Sequence, residues 1–354
     1  MGSPQPLTIP LSWQQRPANR DTDPYLWRVV GCWRNGAILV GSLLLMAALG
    51  LPARCAAAEP AAATTNPQVE QAAALFPPEL VRFKPYEHNP VFTGAGPGHW
   101  DVKIRERGWI LRGPSGYRLW YTGYDGTREG RKLLGYATSE DGLAWTRWPA
   151  NPLDGDHWIE DMQVLHVDGT YYMFAEGERD QAHWFTSPDG IKWLRRGTLD
   201  IRKTNGEPIS PGPFGTPCVL RDGDRWYLFY ERSDLGIWLA TSSDLAQWKH
   251  VQDEPVFVPG PEKYDHFQVA FNQVIRRDGR YYAYYHARES ATTRDWSSSI
   301  AASDDLVHWT KYPHNPILKE NKSSPLLLDD GKQLRLYTTH DQVQVHLSER
   351  PDTE

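Results

Sequence analysis

After residue 110 the chain alternates between two short patterns of apolar and polar positions. In the first, Gly or Asp-Gly leads into aromatic, strand-like residues. Its copies are Gly116-Tyr117-Arg118-Leu119-Trp120-Tyr121, Asp168-Gly169 with Tyr171, Tyr172 and Phe174, and Asp222-Gly223 with Trp226, Tyr227, Phe229 and Tyr230. Asp278-Gly279 with Tyr281, Tyr282, Tyr284 and Tyr285 is the fourth, and Asp330-Gly331 with Leu334, Leu336 and Tyr337 the fifth. An Asp-Gly step between β-like runs predicts a tight hairpin, because Gly accepts positive φ.

The second pattern is Ser-x-Asp-(Gly/Leu)-x-x-Trp. It occurs at Ser139 to Trp145, Ser187 to Trp193, Ser242 to Trp248 and Ser303 to Trp309. Each copy follows a β-like run, so its Asp is placed to bond turn amides and its Trp to plug between sheets. These residues read as scaffold. Four short strands recurring about every 50 residues are the signature of a propeller blade. The hairpin pattern appears five times and the Ser-Asp-Trp pattern four times, so one outer strand is missing. Phe83 to Phe92 (FKPYEHNPVF) resembles Lys311 to Leu318 (KYPHNPIL), and Trp148-Pro149-Ala150-Asn151-Pro152 holds the same place in the first unit. The front of the chain is therefore expected to supply the missing strand and remove a sheet edge. The predicted fold is all-β, a five-bladed β-propeller over residues 80–354 closed by an N-terminal strand.

The apolar run Ala37 to Leu51 changes the picture at the front. It follows Arg34 and precedes Ala56-Ala57-Ala58, which reads as a secretory signal peptide with an extended n-region over residues 1–58. Its apolar run is short for a membrane span, which needs about 20 residues. Residues 59–79, rich in Ala, Thr and Pro, read as a linker with a short helix near Val69 to Leu75. Export predicts a periplasmic or secreted protein with no membrane attachment after cleavage. Cleavage would leave Cys218 as the single thiol, so no internal disulfide is expected.

Composition narrows the function. The net charge is −6 with mixed signs, and sixteen Trp accompany seventeen Tyr. A nucleic-acid binder should carry a basic patch or stripe. An aromatic, slightly acidic surface suits sugars, whose C–H faces stack on rings.

The Ser-x-Asp-Leu-x-x-Trp turns, such as Ser303-Asp304-Asp305-Leu306-Val307-His308-Trp309, on five blades resemble glycoside hydrolase families 32 and 43 and their relatives. Sialidases share Asp-containing turns but with another spacing and usually six blades. The resemblance implies a glycosidase, expected to act at chain ends of plant or algal glycans with inversion. It also implies acidic groups reaching the central cavity from the first strands of blades one to three. One carboxylate activates water or attacks the anomeric carbon, an acid protonates the leaving oxygen, and a third tunes the acid.

Carried over residue by residue, Asp161, eight residues before Gly169, matches the tuning carboxylate. The same offset before Gly223 falls on Gly215, two residues before Pro217, where the resembled enzymes have Glu; the usual acid is absent. Blade one offers Asp101, read as the base, and Glu106, for which a salt bridge to Arg105 or Arg107 is an equal reading. Glu176 and Glu231 end second strands and could replace the missing acid; Glu231 lies in the blade that lost its Glu. Histidines are a third source of acid or base. His99 and His266 precede inner strands, and His286 and His340 end second strands. With Trp100 and Trp158 they are candidate sugar contacts, core packing being the alternative for the rings. No cofactor is expected and no His pair has a zinc spacing, while a structural cation in the pore stays open. Two further readings remain, a phosphorylase using Lys103, Arg105 and Arg107 for phosphate, and a non-catalytic carbohydrate-binding propeller.

Overall fold

The computed structural model describes residues 66–293 and 295–349. The segment read as a signal peptide and the start of the segment read as a linker lie outside the described residues. Five antiparallel sheets follow one another along the chain. Blade one comprises Lys103–Gly113, Gly116–Tyr124, Leu133–Ser139 and Thr146–Arg147. Blade two comprises Glu160–Val167, Thr170–Gly177, Gln181–Ser187 and Leu194–Thr198. Gly215–Asp222, Arg225–Glu231, Ile237–Ser242 and Trp248–His250 form blade three, with Ile201–Arg202 added in parallel at its edge. Blade four is Gln268–Arg277, Arg280–Arg288, Trp296–Ser303 and Thr310–Lys311. Blade five has three consecutive strands, Pro325–Asp329, Leu334–Thr338 and Gln344–Ser348.

Its fourth strand is Phe83–Pro85, antiparallel to Gln344–Ser348. The reason lies in the repeated Asn-Pro. The Asn89 side chain donates to the Val345 carbonyl at 2.7 Å and accepts the Val345 N–H at 2.8 Å. Asn151 treats Tyr136 in the same way, and Asn315 treats Ile300. A side-chain amide thus imitates one more residue of strand pairing, which satisfies an outer edge.

The Ser-x-Asp turns are self-contained. The Asp141 Oδ1 accepts N–H bonds from Leu143 and Ala144, while Ser139 Oγ accepts one from Gly142. The Trp of the second, third and fourth turns packs on an aromatic of the preceding blade's second strand. Ring centroids are 6.3 Å apart for Trp193 and Trp120, 6.1 Å for Trp248 and Phe174, and 5.9 Å for Trp309 and Phe229. The core is accordingly divided into sectors between blades.

The expected helix is Pro67–Ala73, capped by Asn66. The segment read as a linker also enters the core: Phe76 is buried beside Leu80, Tyr282 and Tyr284. No helix of the described residues is long and apolar enough to cross a membrane.

Candidate active site

Strand pairing locates the site more sharply than motif spacing. In blade two Val167 pairs with Thr170, so Asp168-Gly169 form the hairpin, both with positive φ. In blade three Asp222 pairs with Arg225, so the hairpin is Gly223-Asp224 with Gly223 leading. A leading Gly suits a type II′ turn and a trailing one type I′. Counting from the Gly therefore slips by one residue. Thr216 holds the place of Asp161, and Gly215 that of Glu160. The backbone agrees, with φ of 48° at Asp161, 47° at Thr216 and 44° at Arg107, each in a bulge of its inner strand. Glu106, Glu160 and Gly215 are thus equivalent, one residue earlier.

A second layer comes from the second strands. Six residues past their first residues, Gly116, Thr170, Arg225, Arg280 and Leu334, stand Thr122, Glu176, Glu231, His286 and His340. Three of these reach the next blade round the ring. Thr122 donates to the Ile159 carbonyl at 3.1 Å, and Glu176 accepts the Thr216 N–H at 2.8 Å. His340 Nδ1 is 3.6 Å from Glu106, which closes the ring back to blade one.

The two layers create a buried acidic cluster. Arg105 Nε lies 3.0 Å from Glu160, close enough for an ion pair though not aligned as a hydrogen bond, and Arg105 Nη2 lies 3.9 Å from Glu106. The Trp158 indole donates to the other Glu160 oxygen at 2.8 Å. Burial raises the Glu160 carboxyl to about 6. Asp161 rises to about 7 through burial and then repulsion from Glu106. Burial, then Asp161 and Glu160, hold Glu176 well above the ordinary range. Glu231 is raised to about 8 by burial and Asp234, whose N–H it accepts. Several carboxyls therefore share one proton-rich site near neutral pH.

Arg107, buried beside them, links blade one to two other blades. Its Nη2 donates to the carbonyls of Pro217 in blade three and Asn272 in blade four. Arg107 Nε and Nη1, the Asn272 amide, His286 Nδ1 and Asp161 Oδ1 have no protein partner. Buried polar atoms without partners are costly unless a ligand or water meets them.

The structure thus gathers Glu106, Asp161, Glu176, Glu231, His286, His340 and Trp158 around the pore. Asp101 is not linked to this cluster. It is buried in an ion pair with Arg147 Nε at 2.8 Å and accepts the Tyr121 hydroxyl at 3.0 Å, with Trp100 stacked on that tyrosine. A residue so paired supports blade one, and the expectation of Asp101 as base finds no geometric support. His99 and His266 are exposed and make no side-chain bond to the cluster. Glu160, the residue before Asp161, was not singled out from the sequence. Its signal was the equivalence with Glu106, hidden by the slipped count. Among the described residues, no three His, Cys, Asp or Glu side chains are grouped to hold a metal. A cavity of about 740 Å³ lies between the N-terminal helices and blade four, and none of these carboxyls lines it.

No family model matches the chain. A 1,2-beta-oligomannan phosphorylase from Thermoanaerobacter sp. (strain X514) is 25% identical over 169 residues, 44% of this chain and 53% of that protein. The chain spans about half the length of this curated relative. A glycosyl hydrolase from Bacteroides ovatus superposes with a TM-score of 0.62 at 15% identity, covering 76% of this chain and 94% of its own. The chain shares the fold of glycoside hydrolases and phosphorylases. Beta-1,2-mannobiose phosphorylase from Listeria innocua agrees, with a TM-score of 0.59 at 15% identity over 76% of this chain and 96% of its own.

Proposed function

We propose that this chain is an exported glycoside-cleaving enzyme that acts at the ends of plant or algal oligo- or polysaccharides. The observation that carries the reading is the cluster of Glu106, Glu160, Asp161 and Glu176 at the pore, with burial holding Glu160 and Asp161 near the pH at which acid and base roles exchange. Arg107 reaches from blade one to the carbonyls of Pro217 and Asn272 in blades three and four, which suits a pocket that takes a chain end. The unpartnered amide of Asn272 and imidazole nitrogen of His286 supply donors and acceptors for sugar hydroxyls. Trp158 offers a ring beside Glu160.

Arg105 beside the carboxyls, together with the phosphorylase relative, favours a second reading in which phosphate replaces water as the attacking group. One experiment separates them. The protein is incubated with aryl furanosides, aryl pyranosides and plant and algal oligosaccharides, with and without phosphate, beside Asp161→Asn. Release in water that vanishes in the variant supports hydrolysis; release that requires phosphate supports phosphorolysis. Retained glycan binding with no release under either condition would overturn both in favour of a binding propeller.

A further inference from the structure

The equivalent inner-strand position carries Glu106 in blade one and Glu160 in blade two, but Gly215 in blade three. The glycine is not there for its backbone, since its φ lies outside the left-handed region. It is there for space. A Cβ at residue 215 would lie 1.9 Å from Glu176 Oε2, 2.7 Å from its Cδ and 3.3 Å from its Cγ. The three atoms nearest to that Cβ all belong to Glu176. A carboxyl from blade two therefore occupies the place that a blade-three side chain would take. Glu176 Oε2 is fixed there by the Thr216 N–H at 2.8 Å and its hydroxyl at 3.5 Å. Among the described residues Oε1 has no hydrogen-bond partner, and it is not one of the sealed polar atoms, so it is the oxygen left for a ligand.

We propose that Glu176, seated over Gly215, is the group that protonates the leaving oxygen, and that positions 176 and 215 are interchangeable addresses for one carboxyl. This rests on the glycoside-cleaving reading. In hydrolysis the Glu176 proton passes to the glycosidic oxygen as the bond from that oxygen to the anomeric carbon breaks, its electron pair staying on oxygen. Water adds to the anomeric carbon and gives its proton to Asp161. Solvent exchange then returns one proton to Glu176 and takes one from Asp161. Burial and then neighbouring carboxylates raise Glu176 well above the ordinary carboxylate range, which favours the protonated form that a donor requires.

The test uses the full chain and leaving groups of graded basicity. Glu176→Gln keeps an acceptor for the Thr216 N–H. It should lower kcat on alkyl glycosides by about 10²–10⁴-fold, and on dinitrophenyl glycosides, whose leaving group needs no proton, by no more than about tenfold. The pH-rate limb due to the acid should disappear. Gly215→Glu alone should melt well below the wild type, because two side chains claim one space. Glu176→Ala/Gly215→Glu should recover that melting temperature and restore cleavage of alkyl glycosides. Equal losses on both leaving groups would make Glu176 structural and overturn the proposal, as would a double variant that folds yet shows no recovery. A wild type that cleaves no glycoside, with or without phosphate, overturns the functional reading and this inference with it. A wild type that cleaves while Glu176→Gln retains alkyl-glycoside activity overturns only the inference.

Discussion

Replacing Asp161 by Asn should stabilise this protein at neutral pH and do nothing for it at pH 4. An unfolded Asp titrates near 3.8, whereas burial and Glu106 lift Asp161 to about 7 in the fold. Below pH 4 both states hold the proton and the site costs nothing. Above pH 7 both states are ionised, and the folded state carries the whole cost of a buried charge beside other carboxylates. Between those limits the folded state binds more protons, so stability falls as pH rises. A gap of about three pH units, at about 1.4 kcal/mol each, sets the cost at up to about 4 kcal/mol. Glu160, at about 6, and Glu231, at about 8, act in the same direction and extend the decline toward pH 8. Urea unfolding of wild type and Asp161→Asn from pH 4 to pH 9 measures it. The wild-type curve should fall across that window and the variant's should fall less, the two separating by a few kcal/mol at pH 8. Coincident curves, or a variant less stable at every pH, would refute a cluster held together against its own charge. Stability surrendered at a reactive site is the usual trade of activity against stability.

Two other perturbations check the scaffold. Asn89→Ala unpairs the Val345 N–H and leaves its carbonyl with the Tyr86 N–H alone, which loosens the closing strand and should cost about 1–3 kcal/mol in urea unfolding. The same change at Asn315 should cost a similar amount, and a neutral Asn89→Ala would show that the ring closes without it. Asp101→Asn leaves Arg147 without its carboxylate and should lower stability by about 1–3 kcal/mol. Its pH-rate profile should keep the wild-type limbs; a lost acidic limb, the one a general base sets, would return Asp101 to the reaction.

Five blades, the Ser-x-Asp-Trp turns and the closing strand were all legible before any coordinates, because each rests on short-range chemistry. Asp-Gly sets a hairpin within four residues, Ser139 and Asp141 bond within their own turn, and Asn89 announces its role by matching Asn315. The site was legible only as a set of candidates. Asp161 stood out by its offset from Gly169, and Glu176, Glu231, His286 and His340 as polar residues interrupting or ending second strands. What joins them crosses blade boundaries and leaves no local mark. A one-residue difference in hairpin type moved the blade-three register, so Gly215 answers to Glu160 and not to Asp161. Asp101 had a suitable neighbourhood in sequence, yet Arg147, on the outermost strand of its blade, claims it. Glu176 and Gly215 belong to different blades, and only their packing shows that one residue is small so that the other can be acidic there. Local pattern determined the blades. Which carboxyls share a proton was decided by tertiary structure, since burial and charge repulsion depend on distances through space between strands far apart in the chain.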